Sequence, residues 1–110
     1  MATMLQLGQA TPSGTSPVSI FQPSFQDRFT IHNIIIANVT SSATTFSLFV
    51  DNDGATYDTS TAIAYDIAIQ GNTTILFEVN IYMNNTSGHL AVQTATGSAL
   101  TFTVNGLDGT

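Results

Sequence analysis

The sequence predicts an all-β protein: an antiparallel β-sandwich, jelly-roll-like, with an extended N-terminal arm. Three observations carry that expectation. Apolar residues alternate with Thr and Ser, as in Ala43-Thr44-Thr45-Phe46-Ser47-Leu48-Phe49-Val50, which is the period of a strand with one buried face. About seven or eight such runs are separated by turn residues at a spacing of roughly 8–12 residues, the rhythm of a sandwich. Helical periodicity is absent over any window long enough to nucleate a stable helix.

Residues 1–17 stand apart. Gln9-Ala10-Thr11-Pro12-Ser13-Gly14-Thr15-Ser16-Pro17 has no apolar period and is rich in Pro, Gly, Ser and Thr, a composition that favours an extended segment packed poorly on its own core. Two readings stay open: a frayed terminus, or an arm that orders on a neighbouring subunit, with Leu5, Leu7, Gln9 and Pro12 as its contacts. Removing residues 1–17 is then expected to leave the sandwich, residues 18–110, folded.

Val18-Ser19-Ile20-Phe21 is a short strand closed by Pro23, since proline cannot donate to a ladder. Arg28 to Asn38 alternates at Phe29 and Ile31, then runs continuously apolar from Ile34 to Ala37. Side chains alternate faces along a strand, so that change implies a bulge near His32-Asn33 or burial of both faces. Thr44 to Asp51 alternates cleanly, with Phe46, Leu48 and Val50 inward and Phe49 opposite. Asp51-Asn52-Asp53-Gly54 signals a hairpin turn, because Asn/Asp-Gly accepts positive φ. Strands follow at Ala62 to Ile69, Thr73 to Val79, His89 to Thr94 and Ala99 to Val104, with Asn105-Gly106 ending the pattern. The expected core is Ile31, Phe46, Leu48, Val50, Ile67, Ile75, Phe77, Leu90, Val92, Phe102 and Val104.

Composition narrows function. The chain holds one basic residue, Arg28, seven acidic ones and no Cys, for a net charge of −6. One cation cannot neutralise a run of phosphates, so nucleic acid is excluded as a partner, and anionic membrane surfaces with it. Without Cys there is neither a disulfide scaffold nor a thiolate metal site, and no cofactor is implied. Met1-Ala2-Thr3-Met4-Leu5 lacks a basic, apolar leader, so synthesis in the cytoplasm without a signal peptide is expected.

Reactive constellations are sparse. His32 and His89 lie on different strands, and no G-x-S-x-G elbow accompanies them, so a nonenzymatic role is expected. Asp51, Asp53 and Asp58 gather near one turn without the spacing of an EF-hand loop; they read as solvated turn acids, with a cation as the alternative. Sequons such as Asn38-Val39-Thr40 and Asn72-Thr73-Thr74 read as turn chemistry. More telling are large apolar residues placed off the core face: Phe25, Ile35, Phe49, Tyr65 and Tyr82. Clustered on one surface they would mark a subunit interface, unless a second layer of loops covers them.

An ordered series of segments resembles a group of small virion structural proteins of tailed bacteriophages of marine bacteria and cyanobacteria. Leu7-Gly8-Gln9-Ala10 resembles the opening of that family's N-terminal arm. Thr30-Ile31-His32-Asn33-Ile34-Ile35-Ile36-Ala37-Asn38 resembles its strand ending in Asn, and Ala43 to Val50 its Ala-Thr-Thr-Phe strand. Tyr65-Asp66-Ile67-Ala68-Ile69, Asn72-Thr73-Thr74 and Leu100-Thr101-Phe102-Thr103-Val104-Asn105-Gly106 resemble the strand, turn and closing strand that follow. The chain departs from the family at Phe21 to Asp27, where a Val-Pro-Ala-Gly-type turn is usual. The resemblance implies a capsid decoration (cement) protein on the exterior of the virion head, partnered by the major capsid protein and by copies of itself, as a trimer rather than a dimer. The alternative it implies is a tail, baseplate or fibre-associated adaptor, or a module binding a host glycan.

Overall fold

Eight strands make up the regular structure among the described residues, 3–24 and 29–109 of this computed structural model. They are β1 (Thr3–Ala10), β2 (Val18–Phe21), β3 (Phe29–Asn38), β4 (Thr44–Asp51), β5 (Ala62–Ile69), β6 (Thr74–Met83), β7 (His89–Thr94) and β8 (Leu100–Asp108). Two four-stranded sheets result, one ordered β1-β8-β3-β6 and the other β2-β7-β4-β5, with antiparallel pairing throughout. The partners β1 with β8, β2 with β7, β3 with β6 and β4 with β5 trace one long antiparallel ribbon rolled into two layers. That is a jelly roll.

The core lies between the layers. Ile31, Ile34, Ile36, Leu48, Leu90, Val92, Leu100, Phe102 and Val104 are fully buried there. Two edge-on aromatic pairs bridge the sheets: Phe46 on β4 with Phe102 on β8, at 6.4 Å, and Phe21 on β2 with Phe29 on β3, at 5.2 Å. Val50, Ile75 and Phe77 of the expected core are half-buried against it. Ile67 is the exception at 40% exposed: it belongs to β5, an edge strand, and so lies at the open margin of the sandwich.

The expected irregularity of β3 is present and is wider than one strand. Between the pairs made by Ile31 and those made by Ile34, β8 has Asn105 alone, β3 has His32 and Asn33, and β6 has Glu78, Val79 and Asn80. In β1, Leu7 is likewise unpaired opposite the same place. The extra residue in β3 reverses its phase, which is why Phe29 and Ile31 point inward before it and Ile34 and Ile36 after it. Ile35 and Ala37 are thereby turned to the outer face, half-buried.

The N-terminal segment is not a detached arm. Thr3 to Ala10 is the edge strand β1, in register with β8 from Thr3↔Asp108 to Ala10↔Phe102. Leu7 packs on the core, and Pro12 is buried with its carbonyl accepting the Ser98 amide at 2.8 Å. Leu5 and Gln9 remain exposed. A Cβ at Gly8 would stand 2.4 Å from the Ile20 carbonyl of β2, so the two sheets approach closely where β1 passes β2.

Two strands run further than the alternation indicated. β6 continues to Met83, which is fully buried, and β8 passes through Asn105-Gly106 to Asp108. Gly106 serves close packing, since a Cβ there would lie 2.2 Å from the Thr30 carbonyl and 2.8 Å from Leu7. The β4–β5 connection is a long loop, residues 52–61, in place of a tight hairpin. At the other end of β3, buried Asn38 donates to the Ser42 carbonyl (2.8 Å) and the Ile69 carbonyl (3.3 Å) and accepts from the Thr40 amide and hydroxyl. Its amide is fully used, as a buried polar group requires.

Candidate functional site

The two outward faces of the sandwich differ in cover. On the β1-β8-β3-β6 sheet, cross-strand register sets out the residues in rows. Tyr82, Thr30, Leu107 and Met4 form one row, and Leu76, Ile35, Thr103 and Gln9 another. Leu76, Met4 and Tyr82 are 56%, 65% and 73% exposed. Between these rows lies the irregular band, where Asn105 donates to Asn33 Oδ1 at 2.9 Å and His32, Asn33, Glu78, Val79 and Asn80 line a shallow depression. Gln9 reaches Thr103 and Thr11 reaches Thr101 by hydrogen bonds along the same face. The face carries separate apolar side chains, Met4, Ile35, Leu76 and Tyr82 among them, on a ground of Thr and Asn with few charges, as the core of a contact surface does.

The outer face of the β2-β7-β4-β5 sheet is partly roofed. The 52–61 loop folds back so that Tyr57 stacks near Phe49 (6.4 Å) and edge-on to His89 (6.2 Å), while Tyr65 meets Phe49 edge-on at 6.5 Å. Phe49 is consequently 1% exposed. It is a buried anchor for a loop rather than a contact residue, which corrects the expectation for that position. Tyr65 above it is half exposed.

The expected interface residues therefore do not form one patch. Ile35 and Tyr82 lie on the outer face of one sheet, Tyr65 and the covered Phe49 on that of the other, and Phe25 falls outside the described residues. Alternation reveals that a side chain points away from the core; it does not reveal which of two outer faces receives it.

The acids of the 52–61 region are held by the turn itself. Asp51 accepts the amides of Asp53 (3.2 Å) and Thr56 (3.0 Å), and Asp58 accepts the amide of Ser60 at 2.8 Å. Among the described residues no three His, Asp or Glu side chains come together to hold a metal ion. The Thr56 amide, then that of Asp53, holds the Asp51 carboxyl below its ordinary value; the Ser60 hydroxyl and amide do the same for Asp58. Asp53 is raised by hydrogen bonding to Asp51 and by its charge. Lowered acids favour the folded loop above their ordinary pKa, and that contribution disappears as pH falls through the folded value. The raised acid acts in the opposite sense. Carboxyl carbon NMR should accordingly show Asp51 and Asp58 titrating below 3.8 and Asp53 above it.

His89 Nδ1 is 2.8 Å from Ser19 Oγ, which puts a hydroxyl and a base side by side. Asp51 is the cross-strand neighbour of His89, yet its two oxygens face the amides of its own loop. Among the described residues no carboxylate hydrogen-bonds His89 to complete a triad, and the pair tethers the short β2 to β7.

No family model matches the sequence, and no curated protein matches it. Solved structures are similar in fold. The chain from the T13 viral particle of infectious bursal disease virus superposes with a TM-score of 0.57 at 13% identity. A chain of T=1 particles derived from the same virus gives 0.54 at 9%, and that of its VP2 subviral particle 0.53 at 12%. In each case 97% of the present chain is covered, against 30%, 30% and 31% of the viral chain. The chain thus spans less than a third of those proteins, and at this identity the likeness is one of fold.

Proposed function

We propose that the protein is a structural component of a virion, a decoration (cement) protein that binds the outside of a phage head and stabilises contacts between capsid subunits. The observation that carries this reading is the unroofed face of the β1-β8-β3-β6 sheet, where Met4, Ile35, Leu76 and Tyr82 stand on a Thr/Asn ground. It is supported by the fold shared with chains that build viral particles and by the ordered segments that resemble small phage virion proteins. The partners would be the major capsid protein and copies of the chain itself, as the trimer that the resemblance to phage virion proteins implies.

Quantitative mass spectrometry of purified particles tests it. Hundreds of copies per particle, with antibody labelling over the head, are expected. A few to a few dozen copies, with label at the tail, would transfer the protein to the alternative reading of a tail, baseplate or fibre-associated module.

A further inference from the structure

A polar cleft of about 290 Å³ opens on the outer face of the β2-β7-β4-β5 sheet. Nine residues line it, among them Thr15 of the β1–β2 connection, Thr45 and Ser47 of β4, Tyr65 and Asp66 of β5, and Gln93 of β7. We propose that this cleft binds a neutral sugar or a similar small polyol.

Its parts are fixed in advance. Asp66 adopts φ 50°, a left-handed conformation that Asp accepts more readily than most non-glycine residues. The β4–β5 register shifts at this point, and the Asp66 amide donates to Ser47 Oγ at 3.0 Å. The bulge turns the Asp66 carboxylate to the surface, with no hydrogen-bond partner among the described residues. Gln93 is anchored by its own amide, which donates to the Thr15 carbonyl at 3.0 Å, and so leaves its side-chain oxygen available. Ser47 is only 2% exposed. Its oxygen accepts from Asp66, and no acceptor for its hydroxyl proton is present among the described residues. A buried donor without an acceptor is rare in a folded protein, and here it belongs to the lining of the cleft. Tyr65, held edge-on by Phe49 and half exposed, supplies an aromatic wall.

Carboxylate, amide oxygen and hydroxyls beside one aromatic ring suit a ligand that presents vicinal hydroxyls and a C–H face. The volume, just below the range of roughly 300–1,000 Å³ typical of small-molecule sites, limits the ligand to about one sugar ring. Charge disposes of two other ligand classes. An anion would meet Asp66 with no cation in the lining. A calcium ion takes about six to eight oxygen ligands, usually with several carboxylates, where the cleft offers one. The inference is independent of the virion assignment, and each can fail alone.

The test is titration of the isotope-labelled full-length protein with galactose, glucose, mannose and N-acetylglucosamine, each followed by amide NMR, with calcium chloride and sodium phosphate as controls. At least one sugar should move the amides of residues 45–47, 65–66 and 93–95 saturably. Asp66→Gly removes the carboxylate and accepts a positive φ without strain, so folding is retained while affinity should fall by about tenfold or more. Tyr65→Ala should weaken the same sugar. The proposal is overturned if no sugar shifts these amides, if the shifts survive Asp66→Gly, or if calcium alone produces them.

Discussion

Deleting residues 1–10 should destabilise the sandwich severely, lowering its thermal midpoint by roughly 20 °C or abolishing cooperative unfolding. β1 covers one edge of β8 from Phe102 to Asp108, and its loss strips a ladder of backbone hydrogen bonds, each worth about 0.5–1.5 kcal/mol net. It also removes Leu7 from the core and opens the flank of Phe102 and Val104. The combined loss is on the order of 4 kcal/mol, against a total stability of roughly 5–15 kcal/mol for a small domain, and each kcal/mol moves the midpoint of a domain near this size by about 4–8 °C. Tyrosine fluorescence and circular dichroism during thermal unfolding measure it. An unchanged midpoint would restore the detached arm. The milder Leu7→Ala variant separates lost packing from lost strand pairing, and should cost less than the deletion.

Replacing Phe102 with Ala should cost about 3–5 kcal/mol, as for other buried aromatic side chains. Phe102 is fully buried and its ring meets Phe46 of the opposite sheet edge-on at 6.4 Å, so the truncation leaves a cavity between the layers and removes an aromatic contact worth roughly 0.5–1.5 kcal/mol beyond area. Phe102→Leu should cost distinctly less. Urea unfolding of both variants, and of Phe46→Ala with the double variant, gives the coupling between the two rings. A double variant whose loss equals the sum of the single losses would show that the rings act independently, against the packing described.

Much of the architecture was legible in the residues. Local alternation marked β2, β4, β5 and β7 with their observed bounds, and the change from alternating to continuous apolar residues located the bulge of β3. Three features were not legible because their cause is distant in sequence. β1 has a weak period of its own and becomes a strand by pairing with β8, at the far end of the chain. Gly106 looks like a terminator until the Thr30 carbonyl beside it is known. Ile67 alternates correctly but stands on an edge strand, and edge position is set by topology. The same holds for the surfaces. Phe49 was recognisable as an apolar residue off the core, whereas its roof of Tyr57 comes from a loop whose path no local pattern encodes. The cleft depends on Gln93 reaching Thr15 across 78 positions, and no motif spans such a distance.

The strand order has a consequence for how the molecule is made. β8 sits between β1 and β3, so β1 has no partner in its sheet until β8 arrives. Throughout translation of the intervening residues, the edges of β1 and β3 that β8 will join stay open, and strand edges of that kind invite pairing between nascent chains. Long-range pairing also makes closure slow, in the millisecond-to-second range typical of such topologies. A row of mismatched residue numbers across that sheet, with Leu7, Asn105, His32-Asn33 and Glu78 to Asn80 abreast, gives the late strand one register in which its irregularities fit its neighbours on both sides.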